Sequence, residues 1–194
     1  KGGIWATEVA QIMGIKSGDV PVAVGGREIA RFDEVSVEML LGSGSSLTVL
    51  RDGERVDLPI TQAFVAKAIE EKAPWMFPRV PYVVKEFATG SPAEKAGMAK
   101  GDALVALNGE SLTYFDEYLE RIPDLAGQAV TITVDRAGER VDLPVTVSDE
   151  GKIGVYYQDN LAEFFPVKTD THSGLSAIPY GWNRAVSTLS SYAR

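Results

Sequence analysis

One heptapeptide occurs twice in this chain. Gly53-Glu54-Arg55-Val56-Asp57-Leu58-Pro59 returns letter for letter as residues Gly138 to Pro144. Upstream, Gly14 to Asp19 matches Gly97 to Asp102 at an offset of 83, and the same offset pairs Val22–Gly26 with Val105–Gly109 and Phe32–Glu34 with Phe115–Glu117. A two-residue insertion accounts for the shift before the heptapeptide. Self-similarity of this length makes the 194-residue chain a tandem of two related units of roughly 75–85 residues each, followed by a tail.

Within each unit the pattern is mainly strand. Leu104 to Leu107 is a short apolar run closed by Asn108-Gly109, a tight-turn pair. Val130 to Val134 alternates with threonine, turns at Ala137-Gly138 and returns through Val141, Leu143, Val145 and Val147, which predicts a hairpin. Leu47 to Leu50, Asp52-Gly53 and Val56 to Ile60 predict the same hairpin in the first unit. Ser91 followed by Pro92 predicts a short helix with a serine cap. Apolar residues at 115, 118, 119 and 122 form one helical face that stops at Pro123, and Thr61 to Lys72 suits a helix between the units. The acidic pairs Asp33/Glu34 and Asp116/Glu117 read as exposed first-turn charges favoured by the helix dipole. The predicted fold is mainly β, of the α+β class.

Composition removes several kinds of chemistry. With no cysteine there is neither a disulfide nor a thiolate metal site, and one histidine, His172, cannot supply a two-histidine zinc motif. His172 lies in a polar, turn-like stretch and reads as a solvated loop residue rather than part of a triad. Gly25-Gly26 and the Gly42 to Ser46 run lack the strand, helix and lysine of a phosphate loop. The net charge of −8 argues against a nucleic-acid partner, which needs a basic face. No apolar run approaches the ~20 residues of a membrane span, and no signal peptide opens the chain. Both ends read as cut from something longer.

Gly90-Ser91-Pro92-Ala93-Glu94-Lys95-Ala96-Gly97, running into Gly101-Asp102 and on to Asn108-Gly109, resembles the signature of bacterial PDZ domains. The second unit resembles it over its full length. The first does so from Glu8 onward, with Glu8-Val9-Ala10 where Ser-Pro-Ala is expected. The predicted architecture is thus two tandem PDZ domains, partly open β-barrels capped by helices, plus a helical tail. Its expected bounds are 1–73 for the first domain with its linker, 74–150 for the second, and 151–194 for an extra strand, a loop and a juxtamembrane helix. Two PDZ units followed by Phe164–Val167, Gly174–Ile178 and Trp182–Ala185 are similar to the region before a later membrane helix in bacterial site-2 proteases, intramembrane zinc metalloproteases of the regulator of sigma-E protease type. The zinc motif of that family is not in this chain. The resemblance therefore implies zinc in the parent protein, no cofactor or metal in this part, and no catalytic residue here.

A PDZ domain binds by adding an extended peptide to a sheet edge beside a helix. In the second unit the expected strand is Pro81 to Phe87, giving Pro81, Tyr82, Val83, Val84 and Lys85 as candidates, with Tyr114, Tyr118 and Leu119 on the helix. Phe115 and Ile122 suit the core. The first unit would use Val35 and Met39, with a strand near Gly3 to Trp5. Core packing is the competing reading for this whole set. The lead-in Trp75 to Arg79 has no glycine, so capture of a chain-end carboxylate by the second unit is not expected. Gly151 to Tyr156 has the glycine-plus-apolar look of such a loop and suits either unit. In the tail, Leu175, Ile178, Trp182, Val186 and Leu189 fall on one helical stripe with Arg184 to the side, which suits a helix resting on a bilayer or one packed on protein.

The expected function is a non-catalytic, periplasmic tandem PDZ module of an inner-membrane zinc protease. By the resemblance it gates access of a membrane substrate of the anti-sigma-factor type, by size or by peptide capture, with the size filter favoured. The alternative is a peptide-binding module of a soluble periplasmic serine protease or secretion scaffold.

Overall fold

The computed structural model describes residues 2–29, 31–41, 44–159 and 164. The chain divides into two compact units, the first ending at Pro78 and the second starting at Arg79. The predicted tail helix, with Leu175, Ile178, Trp182, Arg184, Val186 and Leu189, lies outside the described residues, as does His172.

Unit 1 contains β1 (Ile4–Ala6), α1 (Glu8–Gln11), β2 (Val20–Val24), β3 (Arg27–Glu28), α2 (Phe32–Leu41), β4 (Ser46–Arg51), β5 (Glu54–Pro59), α3 (Gln62–Glu71) and β6 (Met76–Pro78). Unit 2 contains β7 (Val84–Phe87), α4 (Pro92–Lys95), β8 (Ala103–Leu107), β9 (Glu110–Ser111), α5 (Phe115–Arg121) with a 3-10 turn over Ile122–Leu125, β10 (Ala129–Arg136), β11 (Glu139–Thr146) and β12 (Val155–Tyr157). The units share one topology. The four-stranded sheet runs β3-β2-β4-β5 in the first and β9-β8-β10-β11 in the second, and a two-stranded pair completes each, β1-β6 and β7-β12.

The hairpins form where the sequence places them, because both residues of each two-residue turn take positive φ. Asp52 and Gly53 lie at 53° and 87°, and Ala137 and Gly138 at 54° and 92°. This is the type I′ geometry whose twist matches the flanking strands. Ser91 caps α4 by accepting from the Glu94 amide at 3.2 Å, with Pro92 in the first turn. Each unit has its own apolar core, Ile15, Leu47, Val49 and Phe64 in the first and Ile132, Val134, Val145 and Ile153 in the second.

The closing strands differ from expectation. Trp75 to Pro78 is not the lead-in of unit 2, for Met76–Pro78 is β6 and pairs antiparallel with β1 (Ile4↔Pro78, Ala6↔Met76). Unit 2 is closed at the same place by β12 (Val155↔Phe87, Tyr157↔Val84). In both units the last strand in the chain pairs with the first, so Gly151 to Tyr157 belongs to unit 2 and the expected break after residue 73 falls instead between Pro78 and Arg79. The reason is hydrogen bonding. A first strand of three or four residues leaves its outer backbone groups to be satisfied, and the segment returning after the hairpin pairs with them.

A second repeated device is an ion pair. Arg136 donates from Nε and Nη2 to the two oxygens of Asp102 at 2.8 and 2.7 Å and reaches the Gly97 carbonyl at 3.0 Å. In unit 1, Arg51 does the same to Asp19, at 2.8 Å twice, and to the Gly14 carbonyl at 2.7 Å. Each aspartate is 1% exposed and also accepts a backbone amide, from Ala99 or Lys16. The fork thus ties the turn before β8 or β2 to the end of the long hairpin strand. Burial pushes the Asp102 carboxyl up, but the Arg136 hydrogen bond, the Ala99 amide and the Arg136 charge outweigh it and hold it below its ordinary 3.8. Asp102→Asn is expected to destabilise unit 2 by about 2 kcal/mol at pH 7. Because the folded carboxyl is depressed, the difference from the native protein is complete above about pH 4 and shrinks as pH falls through the folded value. Urea unfolding followed by exchange of the β10 amides, at pH 7 and pH 3, checks both.

Candidate functional site

In unit 2 a cavity of about 360 Å³ opens between α5 and the segment leading into β12. One wall is helical, from Phe115, Tyr118, Leu119 and Ile122. The other is Gly151 to Tyr156, and Tyr82 and Ala88 contribute from the first strand and the turn after it. Spacings of three and four bring the helical residues onto one face.

Backbone register gives this wall its chemistry. The Gly154 carbonyl accepts from Ala88 at 2.9 Å and the Gln158 amide donates to Val83 at 2.8 Å. Alternation along an antiparallel strand then turns the backbone groups of Val155 and Tyr157 to the opposite edge. Among the described residues that edge pairs with no strand. At its start, Ile153 and Gly154 line the cavity, and among the described residues nothing accepts from their amides. The loop is pinned from behind, since the Ile153 carbonyl accepts from Ala93 at 3.1 Å and the Ile153 side chain is 1% exposed. Gly154 has φ +72°, and a Cβ there would lie 2.5 Å from the Ser91 Cβ. Only glycine lets the loop lie against the cap of α4.

The start of α5 is fixed separately. Arg79 donates to Asp116 Oδ1 at 3.0 Å and Glu117 Oε1 at 2.8 Å, and its guanidinium stands 4.1 Å from the Tyr114 ring. Asp116 is 2% exposed, so the expectation of exposed first-turn charges fails for it, because Arg79 neutralises it in place. Burial pushes the Glu117 carboxyl up, but the amides of Thr113 and Tyr114 and the charge of Arg79 hold it below its usual range.

Four aromatic rings fill one end of the groove. Phe115 stacks on Tyr157 with centroids 3.9 Å apart and planes 24° apart. Tyr82 meets Phe115 edge-on at 4.9 Å and Tyr118 at 4.7 Å. Burial raises the titration of the Tyr82 and Tyr118 hydroxyls, so both stay neutral. Such pairs contribute about 0.5–1.5 kcal/mol each beyond area burial.

The structure redistributes the expected binding residues. Leu119 and Tyr118 line the cavity, while Tyr114 lies under Arg79. Val84, 2% exposed, is core, and Tyr82 reaches the cavity from the core. Pro81 and Val83 are half-buried off the cavity, and exposed Lys85 bonds Asp159 at 2.9 Å. They fall away because β7 is the inner strand and β12 covers its edge. In unit 1, Val35 and Met39 are core at 1% and 3% exposed, and β1, like β7, is the inner strand. Ile122 is core, as expected, at 3% exposed, and also lines the cavity, as does the half-buried Phe115. Ile153 and Val155 belong to the Gly151 to Tyr156 segment, whose glycine spacing is their signal in the sequence.

Register also aligns the closing loops. Trp75 occupies in unit 1 the place of Gly154, its carbonyl accepting from Thr7 at 3.1 Å, and Pro74, which has no amide hydrogen, stands at the position of Ile153. Trp75 is 4% exposed, edge-on to Phe64 of α3 at 4.9 Å. The loop without glycine is therefore that of unit 1, and the expectation against carboxylate capture by unit 2 loses its basis.

Among the described residues no group of three His, Asp or Glu side chains could hold a metal ion. None of the described helices is long and apolar enough to cross a membrane.

Residues 83–136 match the PDZ domain family. Curated relatives include a "putative zinc metalloprotease" of Rhizobium meliloti, 29% identical over 126 residues that cover 55% of this chain and 32% of the relative. A "putative zinc metalloprotease" of Neisseria meningitidis is 32% identical over 107 residues, 50% of this chain and 24% of the relative. The regulator of sigma-E protease RseP of Salmonella typhimurium is 29% identical over 69 residues, 36% and 15%. The chain spans about a third or less of the length of these relatives.

Gly154→Ala is expected to cost more than about 1 kcal/mol and to loosen β12, because it combines the clash with positive φ. Faster exchange of the β7 and β12 amides, with those of β11 unchanged, is the readout. Residues 83–136 of unit 2 thus match the PDZ domain family, in a chain that resembles proteins named as zinc metalloproteases and as the regulator of sigma-E protease.

Proposed function

We propose that unit 2 is a peptide-binding module that takes the free carboxyl end of a protein chain between α5 and β12. The observation that carries this reading is the pair of amides at Ile153 and Gly154, which among the described residues lack an acceptor, in the lining of an apolar cavity beside a strand edge that pairs with no described strand. The end of an extended peptide adds to that edge at Val155, its last side chain enters between Leu119 and Ile122, and its carboxylate takes the amides.

Unit 1 is a second PDZ unit in this reading, with a passive role. Pro74 and Trp75 occupy the place of the amide loop, which favours bulk over capture and suits a size filter. The resemblance to named zinc proteases supports placing the pair in a membrane-embedded parent, on its periplasmic side, as a non-catalytic gate for a membrane substrate of the anti-sigma-factor type. Peptide capture by unit 2 supports a gate that recognises a newly exposed chain end.

Titration of the chain with apolar-ended pentapeptides, as free acids and as C-terminal amides, tests capture. The free acids are expected to bind at least about tenfold tighter than the amides, and Leu119→Asp to abolish binding. Equal binding of acids and amides would refute carboxylate capture.

A further inference from the structure

We infer that the groove of unit 2 reads a single terminal side chain, because the Phe115–Tyr157 stack bars the peptide position two residues before the end. This rests on the capture reading and narrows its ligand class to chain ends with one apolar last residue and no sequence requirement behind it.

The geometry is set by two repeats. From the Leu119 level to Phe115 is four helical residues, a rise of about 6 Å. Two residues of extended peptide cover about 7 Å and return a side chain to the same face. A peptide whose last side chain lies at Leu119 therefore brings its third-from-last side chain to Phe115. There the rings of Phe115 and Tyr157 are 3.9 Å apart and nearly parallel, at van der Waals contact, so nothing passes between them. Tyr82, 3% exposed, supports Phe115 edge-on from the core and holds the stack in place. The cavity beyond is about 360 Å³, at the small end for a ligand site and suited to a residue or two.

The stack is no requirement of the fold. Unit 1 carries Phe32 at the helix position of Phe115, where it is 40% exposed, and Pro78 where unit 2 has Tyr157. The same topology forms without an aromatic closure, so in unit 2 the closure acts on the groove.

The test is an NMR titration of the full chain with free-acid peptides of two to six residues that share one apolar terminal residue. In the native protein the affinity is expected to change by less than about threefold from two residues to six. Phe115→Ala and Tyr157→Ala, each checked for an intact amide spectrum, are expected to restore length dependence, with six-residue peptides binding at least about tenfold tighter than dipeptides. A tenfold climb with length in the native protein, with acids still preferred over amides, overturns this inference and leaves capture standing. Absence of binding by all three proteins, or equal binding of acids and amides, overturns capture and this inference with it.

Discussion

The antiparallel pairing of β12 with β7 is the constraint on which the binding side of unit 2 depends. It satisfies the outer backbone of β7, seats Ile153 in the core, and sets Gly154 against the cap of α4. It also creates the groove, since α5 and β12 are its walls. Without β12, the residues proposed from sequence on β7 would form the exposed edge. With it, Val84 becomes core and the edge passes to Val155 and Tyr157. One strand of three residues thereby decides which side chains can meet a ligand.

The Asp–Arg fork makes a different contribution. It is present in both units with nearly the same distances, at Asp102–Arg136 and Asp19–Arg51, and each time it takes in a glycine carbonyl after the short helix. A buried carboxylate is costly unless paired and hydrogen-bonded, and here two donors from one guanidinium and a backbone amide meet it. The fork holds the frame of either copy whatever its closing loop does. The two units can therefore keep one topology while their loops diverge.

Much of this frame is legible in the sequence. Asp52-Gly53 and Ala137-Gly138 announce their turns because φ is positive at both positions. The alternation in 130–134 reads directly as a strand, and Ser91-Pro92 marks a helix start. These are local effects within a few residues. The closing strands are legible only in part, because Met76–Pro78 and Val155–Tyr157 are too short to show alternation and their partners lie about 70 residues away. A chain read from left to right assigns Trp75 to the second unit, and only the pairing with β1 returns it to unit 1. Asp116 was missed for a similar reason: its partner Arg79 is 37 residues distant. The match to the PDZ family spans 83–136 and leaves out β12 and the glycine loop, so this non-local step lies outside the family resemblance as well.

Once the loops are placed in register, the difference between the copies has a physical form. At corresponding positions unit 1 has Pro74 and Trp75, and unit 2 has Ile153 and Gly154. Proline removes an amide, and the tryptophan ring packs on Phe64, whereas Gly154, at positive φ, keeps an amide without an acceptor among the described residues. The aromatic pairs differ in the opposite sense, with an exposed Phe32 and a Pro78 in unit 1 and Phe115 and Tyr157 stacked in unit 2. In the proposed reading unit 2 therefore combines an amide loop open to a carboxylate with a far end closed by the stack. A free chain end satisfies both features together, since it brings a carboxylate to the loop and needs little groove behind it. An internal strand segment brings no carboxylate and must pass the stack, so the same two features disfavour it.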